Sequence, residues 1–235
     1  LGDQKAACRA TVVPAQGKPI NDSARVDRDG WRYLAKENRI EVKYCRLEAI
    51  KGKTTFTVEV PAVKAQIEMT RSARITQPPG HELKTSDGFY RAQLLVPWSE
   101  ATLRYTAQNG ESKTSKGKAY LDRTLSNVLL PEIADAWYRF RGFHGKEPVL
   151  VEVRFPPENA DPVGWIWFQG TPRPMAVEGK ISLTNTGKSV ALSFASQGKT
   201  FVVRSQKRVY EYEPVKQHGL MGRLAKPWIG DPKIT

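Results

Sequence analysis

The sequence predicts an all-β protein built from antiparallel strands. Short segments of alternating apolar and polar residues recur, and Gly, Pro, Asn and Asp residues separate them. No segment has the apolar spacing of a long helix. In residues 54–60, Phe56, Val58 and Val60 alternate with polar neighbours, which is typical of a half-buried antiparallel strand. Many short strands with almost no helix favour a sandwich or a barrel.

The strand segments follow one another along the chain with short breaks. We predict strands at 8–13, 39–47, 54–60, 90–96, 101–105, 149–155, 165–169, 190–194, 200–203 and 208–212. The most polar stretch, residues 109–118, is predicted to be a long hairpin loop or the junction between two halves. We therefore divide the chain into an N-terminal β half, 1–112, and a C-terminal β half, 113–235. Residues 130–136 are predicted to form one or two helical turns.

The composition restricts the class of partner. The 37 Lys and Arg residues outnumber the 24 Asp and Glu residues, which gives a net charge of +13. Such an excess favours anionic partners, among them an anionic membrane surface. The basic residues are scattered, and no helix-turn-helix, zinc-finger or RNA-recognition pattern occurs, so the sequence argues against nucleic acid. No apolar run reaches the roughly 18 residues of a membrane-spanning helix.

The two cysteines, Cys8 and Cys45, both lie in predicted strands. Two cysteines without a nearby histidine are too few for a tetrahedral zinc site. They form either a disulfide, in an oxidising compartment, or two buried free thiols. We favour the disulfide, and with it a periplasmic or exported location. The chain starts at Leu1 without an initiator Met, which fits a trimmed mature product.

Three of the six tryptophans lie between residues 118 and 170, among short alternating strands. Residues two apart in a strand share a face. Large rings beside a few polar groups suit a pocket for an apolar ligand, whereas the same rings can also fill a sandwich or barrel core. The candidate ligand-binding residues are Trp137, Arg139, Trp165, Trp167 and Gln169.

Two arginines in this region, Arg139 and Arg141, lie one strand step apart on the same predicted face as Trp137. They could hold a carboxylate or phosphate headgroup at the mouth of a pocket. Alternatively, they form ion pairs with acidic residues on neighbouring segments. Those acidic residues are Glu132, Asp135 and Glu152.

Metal and cofactor sites are not predicted. The histidines, His81, His144 and His218, are far apart in the sequence and each has a Gly neighbour, so they are expected in loops. No nucleophile elbow, phosphate-binding loop or dinucleotide fingerprint is present.

Three short motifs carry a resemblance to a known superfamily. They are Lys-Ala-Tyr-Leu-Asp at 118–122, Trp-Tyr-Arg at 137–139 and Gly-Trp-Ile-Trp-Phe at 164–168. The region from about 39 to 169 resembles the double-lipocalin superfamily, which includes carotenoid 1,2-hydratases, bacterial lipocalin-like proteins, and fungal survival-factor proteins and Diels–Alderases. The resemblance implies a lipocalin-like (calycin) barrel, or two packed β-barrel or sandwich halves.

The resemblance also implies roles for Tyr120 and Asp122, which match a Tyr and an Asp that the hydratases need. Protonating an alkene requires a carboxylic acid kept neutral in a dry pocket. Asp122 would be that acid and Tyr120 its hydrogen-bonding partner, provided that their shared strand face borders a cavity and not solvent. The sequence departs from the hydratases in two places. Their upstream His-x-Trp is absent, with Tyr-Arg-Ala at 90–92 instead, and Arg123 directly follows Asp122.

Three hypotheses about function follow. The first is a protein that binds an apolar terpenoid, polyene or lipid in a Trp-rich β-barrel cavity. The second is a hydratase, cyclase or isomerase of such a ligand, with Asp122 as the acid. The third is an interaction protein with a filled core. The missing His-x-Trp favours the first hypothesis over the second.

Overall fold

The computed structural model describes residues 5–13, 19–70, 76–86, 88–106, 110–128, 130–158, 160–186 and 189–205. Their regular elements are strands, one single-turn helix, and two single turns of 3-10 helix at Arg28–Gly30 and Ala35–Glu37. In chain order the elements are β1 (Ala6–Val12), β2 (Ile20–Val26), β3 (Trp31–Leu34), β4 (Arg39–Val42), β5 (Cys45–Ile50), β6 (Lys53–Val60), β7 (Val63–Thr70), β8 (Glu82–Lys84), β9 (Phe89–Thr106), β10 (Ser112–Ser126), α1 (Leu130–Ile133), β11 (Ala136–His144), β12 (Glu147–Phe155), β13 (Val163–Phe168), β14 (Met175–Ala176), β15 (Glu178–Asn185), β16 (Val190–Ser196) and β17 (Lys199–Arg204). The all-β prediction is confirmed. Within these ranges no helix is both long enough and apolar enough to span a bilayer.

The chain divides into two compact units, each made of two separate stretches. The first unit comprises Leu1–Ile75 and Leu94–Asp122, and the second comprises Thr76–Gln93 and Arg123–Thr235. The boundary predicted from the sequence is a single one near residue 112, whereas the chain passes between the two units three times. A polar stretch can mark the end of a domain. It does not show that a later segment, such as Leu94–Asp122, belongs to the same unit as the start of the chain.

Every strand pairing described by register in the structure is antiparallel, which confirms that part of the prediction. One sheet has two strands, β1 and β2, and another has three, β15 to β17 in sequence order. A third sheet has four strands, β11 to β14 in sequence order. The largest sheet follows the order β10-β9-β7-β6-β5-β4-β3, with β8 paired to β9.

The polar stretch 109–118 is strand from Ser112 onward and not the predicted loop or junction. Its residues from Ser112 to Lys118 are all exposed, so its polarity reflects a strand without a buried face. The strand predicted at 208–212 lies outside the described residues.

A closed barrel is not seen among the described residues. The path of the largest sheet ends at β10 on one side and at β3 on the other, and these two strands do not pair with each other. Three lysines, Lys113, Lys116 and Lys118, are exposed along β10. Charged residues on an edge strand oppose pairing with another strand. The lipocalin-like barrel therefore remains an expectation from the resemblance.

The core of the second unit lies between one face of β12 and the three-stranded sheet. Alternate residues Val149, Val151 and Val153 are 3%, 2% and 0% exposed, as the alternation predicts. They cluster with Ile166 of β13 and with Phe194 of β16, among others. This packing fixes which side of β12 faces the core, and so which side carries its charged residues.

The core of the first unit contains the predicted disulfide. Cys8 of β1 is bonded to Cys45 of β5, with their Cα atoms 6.1 Å apart. Both cysteines are buried and cluster with Val58, Val60 and Val63. The bond therefore joins the two-stranded sheet to the largest sheet, and the prediction of a Cys8–Cys45 disulfide is confirmed.

Candidate functional site

One face of the four-stranded sheet combines aromatic and charged side chains, and we call it the tryptophan face. Residues directly opposite each other in an antiparallel pair point to the same side. The register therefore gives three rows across β11, β12 and β13. The rows are Trp137–Arg154–Val163, Arg139–Glu152–Trp165 and Arg141–Leu150–Trp167. Trp137 and Arg139 of β11 thus share one sheet face with Trp165 and Trp167 of β13.

Local sequence holds this arrangement in place. In β12 the valines point into the core, so Leu150, Glu152 and Arg154 must point the other way. Gly164, which precedes Trp165, packs tightly against β12, because a Cβ placed on it would lie 2.7 Å from the main-chain carbonyl oxygen of Glu152. A glycine at 164 therefore lets β13 lie close to the charged residues of β12.

The first row is covered by the beginning of β9 and by α1. Tyr90 and Ile133 are each 1% exposed. Trp137 packs against both in one apolar cluster. The rings of Tyr90 and Trp137 meet edge to face, with centroids 5.3 Å apart. Trp137 is therefore partly buried against the covering elements of the second unit.

Arg139 forms one of the ion pairs that the sequence analysis considers. Its Nε lies 2.9 Å from Oε2 of Glu152, directly across the strand pair. The guanidinium also lies 4.6 Å from the ring centroid of Trp137. About a third of the Arg139 side chain is exposed, against 12% of that of Glu152. Glu152 therefore already engages the positive charge of Arg139.

Arg154 is the buried cation of this face, at 5% exposed. Its guanidinium lies over the ring of Tyr90, 5.5 Å from the centroid. Its Nε is buried and has no hydrogen-bond partner among the described residues. Burial lowers the pKa of Arg154, while Tyr90 and Glu152 oppose that change. A charged group is costly to bury unless it is paired and hydrogen-bonded, so Arg154 is unusual.

Two further buried polar atoms near Arg154 lack a hydrogen-bond partner in the described part of the chain. They are the hydroxyl of Tyr90 and Nε1 of Trp137. Burial is the main cause that raises the pKa of Tyr90, and Glu152 adds to it, whereas Thr124, Arg139 and Arg154 oppose the rise. Thr124 is thus near the hydroxyl, but it does not satisfy it with normal hydrogen-bond geometry.

The other candidate ligand-binding residues differ in exposure. Trp165 and Trp167 are 5% and 7% exposed, so both rings are covered by other groups. Gln169 lies in the turn after β13, and it is exposed. Its main-chain N–H donates to the carbonyl of Pro148 at 3.1 Å.

Tyr120 and Asp122 lie on β10, in the first unit. The hydroxyl of Tyr120 donates to Oδ2 of Asp122 at 2.9 Å. Both residues are half-buried. The two side chains that the resemblance pairs as an acid and its partner are therefore in direct contact, in a half-buried part of β10.

Two grooves are present elsewhere in the molecule. One, of about 440 Å³, lies in the first unit and is lined by Trp31, Tyr44 and charged side chains. The other, of about 540 Å³, lies in the second unit and runs between Glu82 and Arg91. Neither groove is lined by the tryptophan face.

Arg154 and Tyr90 are not among the candidate site residues predicted from the sequence. One signal was available: Glu152 and Arg154 alternate with valines, which places two charges on the second face of an otherwise apolar strand. Nothing in the sequence brings Tyr90 to them, because that contact depends on tertiary packing. The described residues contain no group of three or more His, Cys, Asp or Glu side chains placed to hold a metal.

Comparison of the chain with models of known protein families and with curated protein sequences finds no match in either set.

Proposed function

We propose that this chain is a lipocalin-like protein that binds an apolar small molecule, a terpenoid, polyene or lipid, on the tryptophan face of the second unit. One observation carries the proposal: three tryptophans and three arginines from three strands share one sheet face. Ligand sites combine large apolar surfaces with a small number of polar groups that fix orientation. The proposal concerns the second unit alone and gives no catalytic role to Asp122.

The burial of Trp165 and Trp167 affects the rate at which a ligand would bind. A ligand reaches these rings only if neighbouring side chains move. Association that requires a conformational change is slower than docking onto a preformed surface. We therefore expect slow association, and retention of the ligand once it is bound.

The proposal includes a periplasmic or exported location and an anionic membrane surface as a partner. A disulfide is typical of an oxidising compartment, which supports a periplasmic or exported protein. A net charge of +13 would draw the protein to anionic membranes, from which an apolar ligand could be taken.

The first test measures binding of an uncharged polyene. We expect the methyl ester of cis-parinaric acid to bind and to quench tryptophan fluorescence, because its chain would lie against Trp165 and Trp167. Replacing either ring should weaken binding at least tenfold, since tryptophans are frequent hot spots and each 1.4 kcal/mol is a factor of ten. The measurement is a fluorescence titration of Trp165→Leu and Trp167→Leu beside the unaltered protein.

The matched control is Trp31→Leu, which removes a tryptophan from the first unit. We expect this variant to bind the ester as the unaltered protein does. Circular dichroism of each variant shows whether the sheets remain intact. If the unaltered protein does not bind the ester, or if Trp31→Leu alone abolishes binding, the proposal is wrong.

A further inference from the structure

Arg154, Tyr90 and Trp137 are neighbours, and each has a buried polar atom without a hydrogen-bond partner among the described residues. Arg154 and Tyr90 are 5% and 1% exposed. Nε of Arg154, the hydroxyl of Tyr90 and Nε1 of Trp137 are all buried without a hydrogen-bond partner. Nearly all buried polar groups in folded proteins are hydrogen-bonded, so three unsatisfied atoms in one cluster require an explanation.

We propose that these three groups bind the carboxylate of an amphiphilic ligand, such as a fatty acid or an acidic terpenoid. This inference rests on the proposed function, because it assigns the polar end of the molecule whose apolar part would lie along the tryptophan face.

The three protein groups are hydrogen-bond donors, so the ligand atoms that bind them must be acceptors. A guanidinium and an indole N–H can only donate hydrogen bonds, and a tyrosine hydroxyl can donate as well. Three donors on neighbouring residues favour an acceptor with several lone pairs. A carboxylate has about four acceptor sites on two oxygens, and it accepts from Arg in a planar geometry.

The charges on the tryptophan face favour a negatively charged ligand group. Glu152, the acidic residue closest in register, is paired with Arg139 at 2.9 Å. Arg154 forms no ion pair with a carboxylate among the described residues, and its guanidinium lies over the ring of Tyr90. An anion would supply the missing charge, and the hydrogen bonds would offset the cost of burying Arg154.

The number of charges favours a carboxylate over a phosphate. A phosphate monoester carries about −1.5 to −2 at neutral pH. One cation balances a single negative charge, and Glu152 beside it would repel a second.

The geometry also orients the ligand. Arg154 lies in the first row and Trp167 in the third, four residues apart along the strands. At a rise of about 3.4 Å per residue, the two rows are about 14 Å apart. A carboxylate at Arg154 therefore places an extended chain along the row of Trp165 and towards Trp167.

The test compares cis-parinaric acid with its methyl ester on the full chain. We expect the acid to bind at least about 30-fold more tightly than the ester, because a buried charge paired by hydrogen bonds contributes strongly to affinity. In Arg154→Met this preference should disappear while the ester still binds. Tyr90→Phe should reduce the preference for the acid over the ester about tenfold, because one hydrogen bond to a charged group is lost.

The control variant is Arg91→Met, which removes an arginine paired with Glu82 at 3.0 Å outside the tryptophan face. It should keep the full preference for the acid. Urea unfolding separates a binding role from a structural one: the midpoint for Arg154→Met should not fall, since replacing an unsatisfied buried cation by an apolar residue is neutral or stabilising.

The outcomes distinguish the two proposals. If neither probe binds, the proposed function itself fails. If acid and ester bind equally to the unaltered protein, or if Arg154→Met retains the preference, the carboxylate site is wrong while the apolar site stands. If dodecyl phosphate displaces the ester better than dodecanoate does, the anion is a phosphate and the assignment to a carboxylate is overturned.

Discussion

Phe194→Ala is expected to lower the free energy of unfolding by about 3–5 kcal/mol, the cost of removing a large ring from a packed core. Phe194 is 2% exposed and lies in the cluster that joins β12 and β13 to the three-stranded sheet. It stacks on Phe201 with ring centroids 5.8 Å apart, and Phe201 in turn contacts Phe168 at 5.4 Å. Alanine would leave a cavity where these sheets meet. Urea unfolding followed by tryptophan fluorescence measures the loss.

The matched control for this prediction is Val202→Ala on β17, where the side chain is 53% exposed. Surface substitutions of this kind change stability by no more than about 0.5 kcal/mol. A loss below about 1 kcal/mol for Phe194→Ala would contradict the packing of the three-stranded sheet against β12 and β13.

Removing the disulfide is expected to cost about 2–4 kcal/mol, since the bond restricts the unfolded chain between Cys8 and Cys45. The two residues are 37 positions apart, so the loop that the bond closes is long. The bond also holds β1 and β2 against the largest sheet, together with a hydrogen bond of 2.8 Å from the main-chain N–H of Ala62 to Asp22. The variant is Cys8→Ser/Cys45→Ser, compared with the oxidised protein by urea unfolding.

Two controls accompany the disulfide prediction. Reducing agent should lower the stability of the unaltered protein and leave the double variant unchanged. Thiol titration of the unreduced, unfolded protein should find no free thiol. Two reactive thiols in protein made in an oxidising compartment would show that the bond does not form.

The fold class and most strands could be predicted because alternation is local. Phe56, Val58 and Val60 alternate with polar residues, and so do Val149, Val151 and Val153, and each set lies in a buried cluster. The break of the predicted strand 39–47 into β4 and β5 was not visible, since Lys43 adopts a positive φ of 34° that no glycine marks. The strand character of 112–118 was missed because a strand exposed on both faces has the composition of a loop.

The candidate site could be predicted only in part. Periodicity placed Trp137 with Arg139 and Trp165 with Trp167, but it could not say that β11 and β13 flank β12 in one sheet. Because β11 and β13 both pair with β12, their tryptophans and arginines lie on one face of the sheet. The approach of Tyr90 to Arg154 joins residues 64 positions apart through tertiary packing, so no sequence spacing could reveal it.

The cost of burying Arg154 is a physical argument that it has a role beyond folding. Fold stability alone gives no reason to keep a buried cation whose Nε is unsatisfied, because an apolar residue of similar size packs at least as well. Residues that cost stability in the folded chain are common where a site serves binding. The same argument does not apply to Arg139, whose ion pair with Glu152 is partly exposed.

The most direct test of the tryptophan face as a ligand site is a crystal structure with ω-bromododecanoate, in which the anomalous signal of bromine locates the end of the chain. We predict the bromine beside Trp167 and the carboxylate within hydrogen-bonding distance of Arg154 and the Tyr90 hydroxyl. Bromine in the groove beside Trp31, or a fully occupied ligand that leaves Arg154 without an acceptor, would contradict the account.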